Sequence, residues 1–169
     1  MFFLFISEAE TLMQKILMVC LGNICRSPMA EGILKRKIEE NNIPALVDSA
    51  GTSNYHTGEH PDNRAIACSR KFKVEISKLK ARQFGVTDFD QFDRIYVMDS
   101  SNYQDVLGLT RNEADRKKVQ IIMNVMYPDT NMSVPDPYFG GEDGFDKVFL
   151  MLDNACEIIA KSLRPHAAQ

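Results

Sequence analysis

The stretch Ile16-Leu17-Met18-Val19-Cys20-Leu21-Gly22-Asn23-Ile24-Cys25-Arg26-Ser27-Pro28-Met29-Ala30-Glu31 decides how this chain folds. An apolar run of strand length ends at Cys20, Arg26 follows six positions on, and Ser27-Pro28 opens a helix, where proline's missing N–H costs nothing. A strand, a short loop and a helix N-terminus thus gather a thiol, a guanidinium and a row of backbone N–H groups. Such a place binds tetrahedral oxyanions and favours the thiolate form of a cysteine. Gly22 and Asn23 tolerate positive φ, so the amides of Leu21, Gly22, Asn23, Ile24, Cys25 and Ser27 can turn inward as an anion nest. Arg26 supplies a planar fork that grips two phosphate oxygens, and the Ser27 hydroxyl can donate to the sulfur. The plainer alternative is a core cysteine beside a surface arginine. The strand before, Gly-Asn within and Ser-Pro after argue against it, and the run reads as a thiolate nucleophile aimed at a phosphoryl group.

Outward from this run, strands and helices alternate. Apolar patterning predicts strands over 15–19, 45–48, 94–98 and 119–123, and helices over 28–40, 64–72, 101–107 and 145–163. The first helix reads as amphipathic, and the last carries apolar residues at Val148, Leu152, Ala155, Ile158 and Ile159. Loops fill 51–63 and 128–144. This alternation predicts an α/β fold with a parallel sheet covered by helices on both faces and ligands beyond the carboxyl ends of the strands, where Cys20 falls. The 169 residues make one domain, able to bury roughly two-thirds of the unfolded surface. Residues 13–165 are expected to form it, with 1–12 an N-terminal extension. Ser7 and Glu10 can cap a short helix there, and the Phe-rich opening can pack on the domain or a neighbour.

A hydrophobic share of 44% and a charged share of 25% are ordinary for a globular chain, and the net charge of −3 argues against a nucleic-acid partner. The four cysteines (Cys20, Cys25, Cys68, Cys156) lack metal-finger spacing and only three histidines accompany them, so no metal and no cofactor are expected. There is no transmembrane run, and the apolar opening lacks a basic n-region and a cleavage site, which points to no membrane association and a cytoplasmic setting.

A second acid lies far downstream. In Val134-Pro135-Asp136-Pro137-Tyr138-Phe139, two prolines restrict the loop and hold one carboxyl in place. Ester cleavage needs an acid for the leaving oxygen and then a base for water, and one aspartate can do both in turn. By itself the segment reads better as a rigid turn with a solvated aspartate. Tyr55 and the Tyr138-Phe139 pair either wall a pocket for a flat phosphorylated ring or are ordinary packing aromatics.

Val19-Cys20-Leu21-Gly22-Asn23-Ile24-Cys25-Arg26-Ser27-Pro28 together with Asp136-Pro137-Tyr138 resembles the low-molecular-weight protein tyrosine phosphatases. The likeness runs from Met13 to Leu163 and takes in Asp48-Ser49-Ala50-Gly51-Thr52, Pro61-Asp62-x-Arg64, Ala81-Arg82-Gln83 and Met98-Asp99. It implies a four-stranded parallel sheet and a metal-free phosphatase acting on phosphotyrosine in proteins or peptides through a phosphocysteine. Cys20 would be the nucleophile, Arg26 the phosphate clamp and Asp136 the general acid. Asn23 and Ser49 would brace the loop, and Ser27 would stabilise the thiolate. It also implies a reversible Cys20–Cys25 disulfide that shields the nucleophile, set against a reading of Cys25 as a small buried residue.

Two departures bear on the reading. Phosphoarginine phosphatases of this fold carry threonine where this chain has Ile24, so the isoleucine resembles the tyrosine-directed members. Many relatives place a histidine just before Ala-Arg-Gln, whereas this chain has Ser77-Lys78-Leu79-Lys80. Asp99, that histidine's usual partner, is therefore expected to make another contact. Lys78, Lys80 and Arg82 read as a solvated face. An arsenate reductase of the same fold needs relay cysteines near residues 80–95, and none lies between Cys68 and Cys156. A phosphopeptide-binding module without catalysis would have lost Cys20 or Asp136, and both are present.

Overall fold

The computed structural model describes residues 13–141 and 143–165. The expected extension, with its Ser7/Glu10 cap and Phe-rich opening, lies outside the described residues. Four strands, β1 (Gln14–Cys20), β2 (Ala45–Gly51), β3 (Arg94–Val97) and β4 (Val119–Ile121), form one parallel sheet in the order β2-β1-β3-β4. The helices are α1 (Arg26–Glu40), α2 (Asn63–Lys71), α3 (Asp88–Gln91), α4 (Ser100–Leu107), α5 (Glu113–Lys117) and α6 (Asp143–Leu163). Parallel neighbours require crossover connections, and the intervening helices cover the sheet.

Alternation along β1 sorts the core into two layers. Ile16, Met18 and Cys20 join residues of α1, α2 and α6 on one face, while Leu17 and Val19 join Phe84, Phe89, Ile95, Val97 and Val106 on the other. On the larger face, Phe72 stacks on Phe149 with centroids 4.3 Å apart. The adjacent strands β1 and β3 send the helices that follow them, α1 and α4, to opposite faces of the sheet. That opens the crevice in which ligands of such sheets sit.

Several expectations need correction. The fourth strand stops at Ile121, and Ile122–Val125 winds into a 3-10 turn with Ile122 and Met123 buried. A short apolar run cannot distinguish the two by period. The loop placed at 128–144 contains a 3-10 turn, Pro137–Phe139, and the opening of α6. Helix α1 is not amphipathic at its start: Arg26 through Leu34 are buried on every side, since the helix lies between the sheet and α6. On α6, Ile158 faces solvent while Val148, Leu152, Ala155 and Ile159 are buried. The short helices α3 and α5 were not anticipated.

Candidate active site

Residues 20–22 and 24–26 form the floor of a cleft of about 180 Å³ at the carboxyl end of β1. The loop's shape is fixed from outside. Thr52 N donates to Cys20 O (2.9 Å), Ser53 N to Leu21 O (2.9 Å) and Asp62 N to Ile24 O (2.8 Å). With these carbonyls turned outward, the N–H groups of Leu21, Gly22, Ile24, Cys25 and Arg26 have no acceptor among the described residues. Unpaired inward amides at a helix start make an anion cradle. Gly51, beside this loop, has no room for a side chain, since a Cβ there would lie 2.6 Å from Leu21 O.

Asn23 takes the positive φ (+56°) that Gly22 was equally expected to supply. Its side chain works at both ends: Oδ1 accepts from Arg82 N (3.0 Å), and Nδ2 donates to Ser27 Oγ (2.8 Å) and Ser49 Oγ (2.9 Å). Ser49 Oγ in turn donates to Glu31 Oε2 at 2.5 Å, and Lys35 Nζ reaches Glu31 Oε1. Glu31 escaped the sequence reading, although it lies one turn beyond Ser27 on the same helix face. We expect Asn23→Ala to lower stability by about 4 kcal/mol in denaturant unfolding, about 1 kcal/mol for each of three lost hydrogen bonds and about 1 kcal/mol for the left-handed backbone. Asn23→Gly should be milder by about 1 kcal/mol, the share that belongs to the left-handed backbone.

Cys20 Sγ accepts from Asn23 N (3.3 Å) and lies 3.0 Å from Ser27 Oγ. Asn23 already donates to that hydroxyl, so its single proton is free for the sulfur; Ala50 O, at 3.4 Å, is the longer alternative. Burial, with Asp62 close by, pushes the Cys25 thiol far above its ordinary value. Burial and then the Asp146 contact push Cys68 up to about 12, and burial likewise raises Cys156. These three remain neutral thiols near pH 7. All four cysteines are free, so no Cys20–Cys25 bond is formed here.

Arg26 is 4% exposed. Its Nη1 donates to Asp99 Oδ2 (2.7 Å) and Val134 O (2.9 Å), leaving Nε and Nη2 without hydrogen-bond partners among the described residues. Asp99 thus orients Arg26 while capping α4 through Asn102 N, which is the other contact expected of it. Leu79, at the histidine's place, is half-buried against the larger apolar face. Asp136 shares the cleft with Cys20. Its Oδ1 accepts from Tyr138 N (3.0 Å), capping the 3-10 turn, and its Oδ2 is 3.9 Å from Arg26 Nη2.

The walls are Leu21, Ile24, Tyr55, Tyr138 and Phe139, with Ser53 and His56 completing the lining. Tyr55 is 80% and Phe139 86% exposed, which fits rim positions better than packing. Arg64, held by Asp62, donates to Tyr138 O (3.2 Å) and sits 5.0 Å from the centroid of its ring. Arg82 is not part of a solvated face: it pairs with Asp48 and Asp88, while Lys78 and Lys80 are exposed. His56 was missed except as a neighbour of Tyr55, and Val134 O gave no sequence signal because any residue carries that carbonyl. The described residues hold no cluster of metal-ligating side chains.

A thiol facing a cradle of amides, with a guanidinium at one side and a carboxyl at another, belongs to the cysteine-dependent phosphatases. The family model for low molecular weight phosphotyrosine protein phosphatase matches residues 15–168. The Homo sapiens low molecular weight phosphotyrosine protein phosphatase is 37% identical over 151 residues, covering 88% of this chain and 94% of its own. The Schizosaccharomyces pombe protein of the same name is 36% identical over 152 residues, covering 88% and 96%. A crystal structure of protein tyrosine phosphatase from Entamoeba histolytica superposes with a TM-score of 0.83 at 36% identity, covering 89% of this chain and 96% of that one. This chain belongs to the low molecular weight phosphotyrosine protein phosphatase family. It is a hydrolase of phosphoric monoesters.

Proposed function

We propose that residues 13–165 are the catalytic unit, with 1–12 an extension, and that it dephosphorylates phosphotyrosine in proteins or peptides with the following division of labour. The cradle amides of Leu21, Gly22, Ile24, Cys25 and Arg26, with Arg26 Nε and Nη2, hold the phosphate oxygens. Cys20 Sγ attacks phosphorus and the ester bond breaks, while Asp136 gives its proton to the departing phenol oxygen. Asp136, now a carboxylate, takes a proton from water as that water attacks the phosphocysteine, and the sulfur leaves as thiolate toward Ser27 Oγ. Ser49, Asn23 and Asp99 keep loop and guanidinium in place, and Tyr55 and Tyr138 flank the aromatic ring. The observation that carries this reading is the set of five unpaired amides facing a cleft that also holds Cys20 and Asp136.

The cleft is walled largely by apolar side chains, Ile24 among them, which favours an aryl ester over a guanidino phosphate. Free cysteines fit a reducing, cytoplasmic setting, and among the described residues no helix is long and apolar enough to cross a membrane. The net charge of −3 speaks against nucleic acid as a partner. The test is phosphate release from a phosphotyrosyl peptide and from phosphoarginine, beside arsenate reduction with a thiol donor. The peptide should be the preferred substrate and arsenate should not turn over. Faster release from phosphoarginine, or reduction of arsenate, overturns the assignment.

A further inference from the structure

One polar side chain in the cleft has no part in the chemistry above. His56 lines it from the segment after β2, and that segment is pinned to the phosphate loop. Ser53 N and Ser53 Oγ both donate to Leu21 O (2.9 and 3.0 Å), and the imidazole packs over Gly22, where a Cβ would lie 3.1 Å from His56 Cδ2. His56 Nδ1 is 2.8 Å from Glu59 Oε2. A carboxylate only accepts, so the proton between them sits on Nδ1, and in the neutral ring Nε2 is left as an acceptor. Nε2 has no partner among the described residues, and the ring is held in place on two sides.

The head of the substrate offers nothing to that nitrogen. A phosphotyrosine side chain carries an apolar ring and phosphate oxygens, which the cradle amides and Arg26 already serve as acceptors. Of the other lining groups, Asp136 is committed to the chemistry, the Ser53 hydroxyl is spent on Leu21 O, and the rest are apolar walls apart from the Tyr55 and Tyr138 hydroxyls. The donor that a polypeptide always brings next to a phosphotyrosine is its main-chain N–H. We propose that His56 Nε2 accepts a hydrogen bond from a main-chain N–H flanking the phosphotyrosine, with Glu59 as the positioning residue that fixes the tautomer. The cleft is then built for a polypeptide rather than for a free phosphorylated amino acid or a small aryl phosphate. This rests on the reading of the Cys20 cleft as a phosphotyrosine site.

The test uses a phosphotyrosyl hexapeptide and a set of analogues in which each amide near the phosphotyrosine is replaced in turn by an ester, which deletes one N–H. One of these esters should lower wild-type kcat/KM about five-fold, the worth of one ordinary hydrogen bond, through KM rather than kcat. His56→Leu should lower kcat/KM for the parent peptide by about the same factor, again through KM, and the sensitive ester should then have no added effect. His56→Gln, whose amide oxygen can accept, should recover part of the loss, and Glu59→Gln should reproduce part of it. Parallel turnover of p-nitrophenyl phosphate reports the underlying chemistry separately. If the wild type turns over neither substrate, the phosphatase reading itself fails. If both are turned over but no ester separates wild type from His56→Leu, or if His56→Leu raises KM equally for p-nitrophenyl phosphate, the main-chain contact is overturned alone.

Discussion

Cys20→Ser is expected to lower turnover of an aryl phosphate by about 10⁴-fold or more, the scale seen when a covalent nucleophile is removed from an enzyme whose other groups remain. The replacement keeps the shape of the side chain, so fold and cradle should survive. It changes the attacking atom to a hydroxyl oxygen, which is scarcely ionised near neutral pH and is a poorer leaving group when water attacks the phosphorylated intermediate. Asn23 N and the Ser27 hydroxyl can donate to whichever atom stands at that position, and two hydrogen bonds do not ionise an alcohol. The oxyanion groups are untouched, so inorganic phosphate should bind the variant within a few-fold of wild type. Steady-state hydrolysis combined with phosphate inhibition checks both halves. Activity within ten-fold of wild type would remove Cys20 from the chemistry.

Asp136→Ala should cost about 10²- to 10⁴-fold on a phosphotyrosyl peptide, the usual worth of a general acid. The size should depend on the leaving group. Tyrosine's phenolate is a poor leaving group without a proton, whereas p-nitrophenolate departs readily, so the same variant should lose far less kcat/KM on p-nitrophenyl phosphate. Asp136 also serves the second step, so with the activated ester the variant should show a burst of nitrophenolate followed by slow turnover. The side chain has a structural duty as well, because Oδ1 caps the turn through Tyr138 N. Asp136→Asn can keep that cap and lose only the proton transfer. Equal losses of kcat/KM on the two esters in both variants, with no burst on the activated one, would make Asp136 a structural residue.

Much of this was legible because the chemistry is packed into short runs. Strand, thiol, Gly-Asn and Ser-Pro lie within sixteen consecutive residues, and the prolines around Asp136 mark it out. What stayed hidden depends on partners distant in sequence. Helices α3 and α5 are too short to show a period and are held by side chains: Asp88 accepts from Gly85 N and Arg82, and Asp115 from Arg111. Glu31 looks like a surface acid of an amphipathic helix until α6 and the sheet bury the start of α1. Arg82 looks like part of a basic run until Asp48 and Asp88 meet it. Ile158 shows the converse, an apolar residue near the buried stripe whose angular position takes it just past the contact.

Gly51 carries a consequence of its own. Strand β2 ends against the curve of the phosphate loop, and the missing side chain lets the Leu21 carbonyl tuck into the space beside it. A methyl group there would also press on Asn23 N and Gly22 C, each 3.1 Å away, so either the strand end or the loop would have to give. The spacing of the anion-binding amides thus depends partly on an absent methyl group on the neighbouring strand, at a residue that need never touch the phosphate.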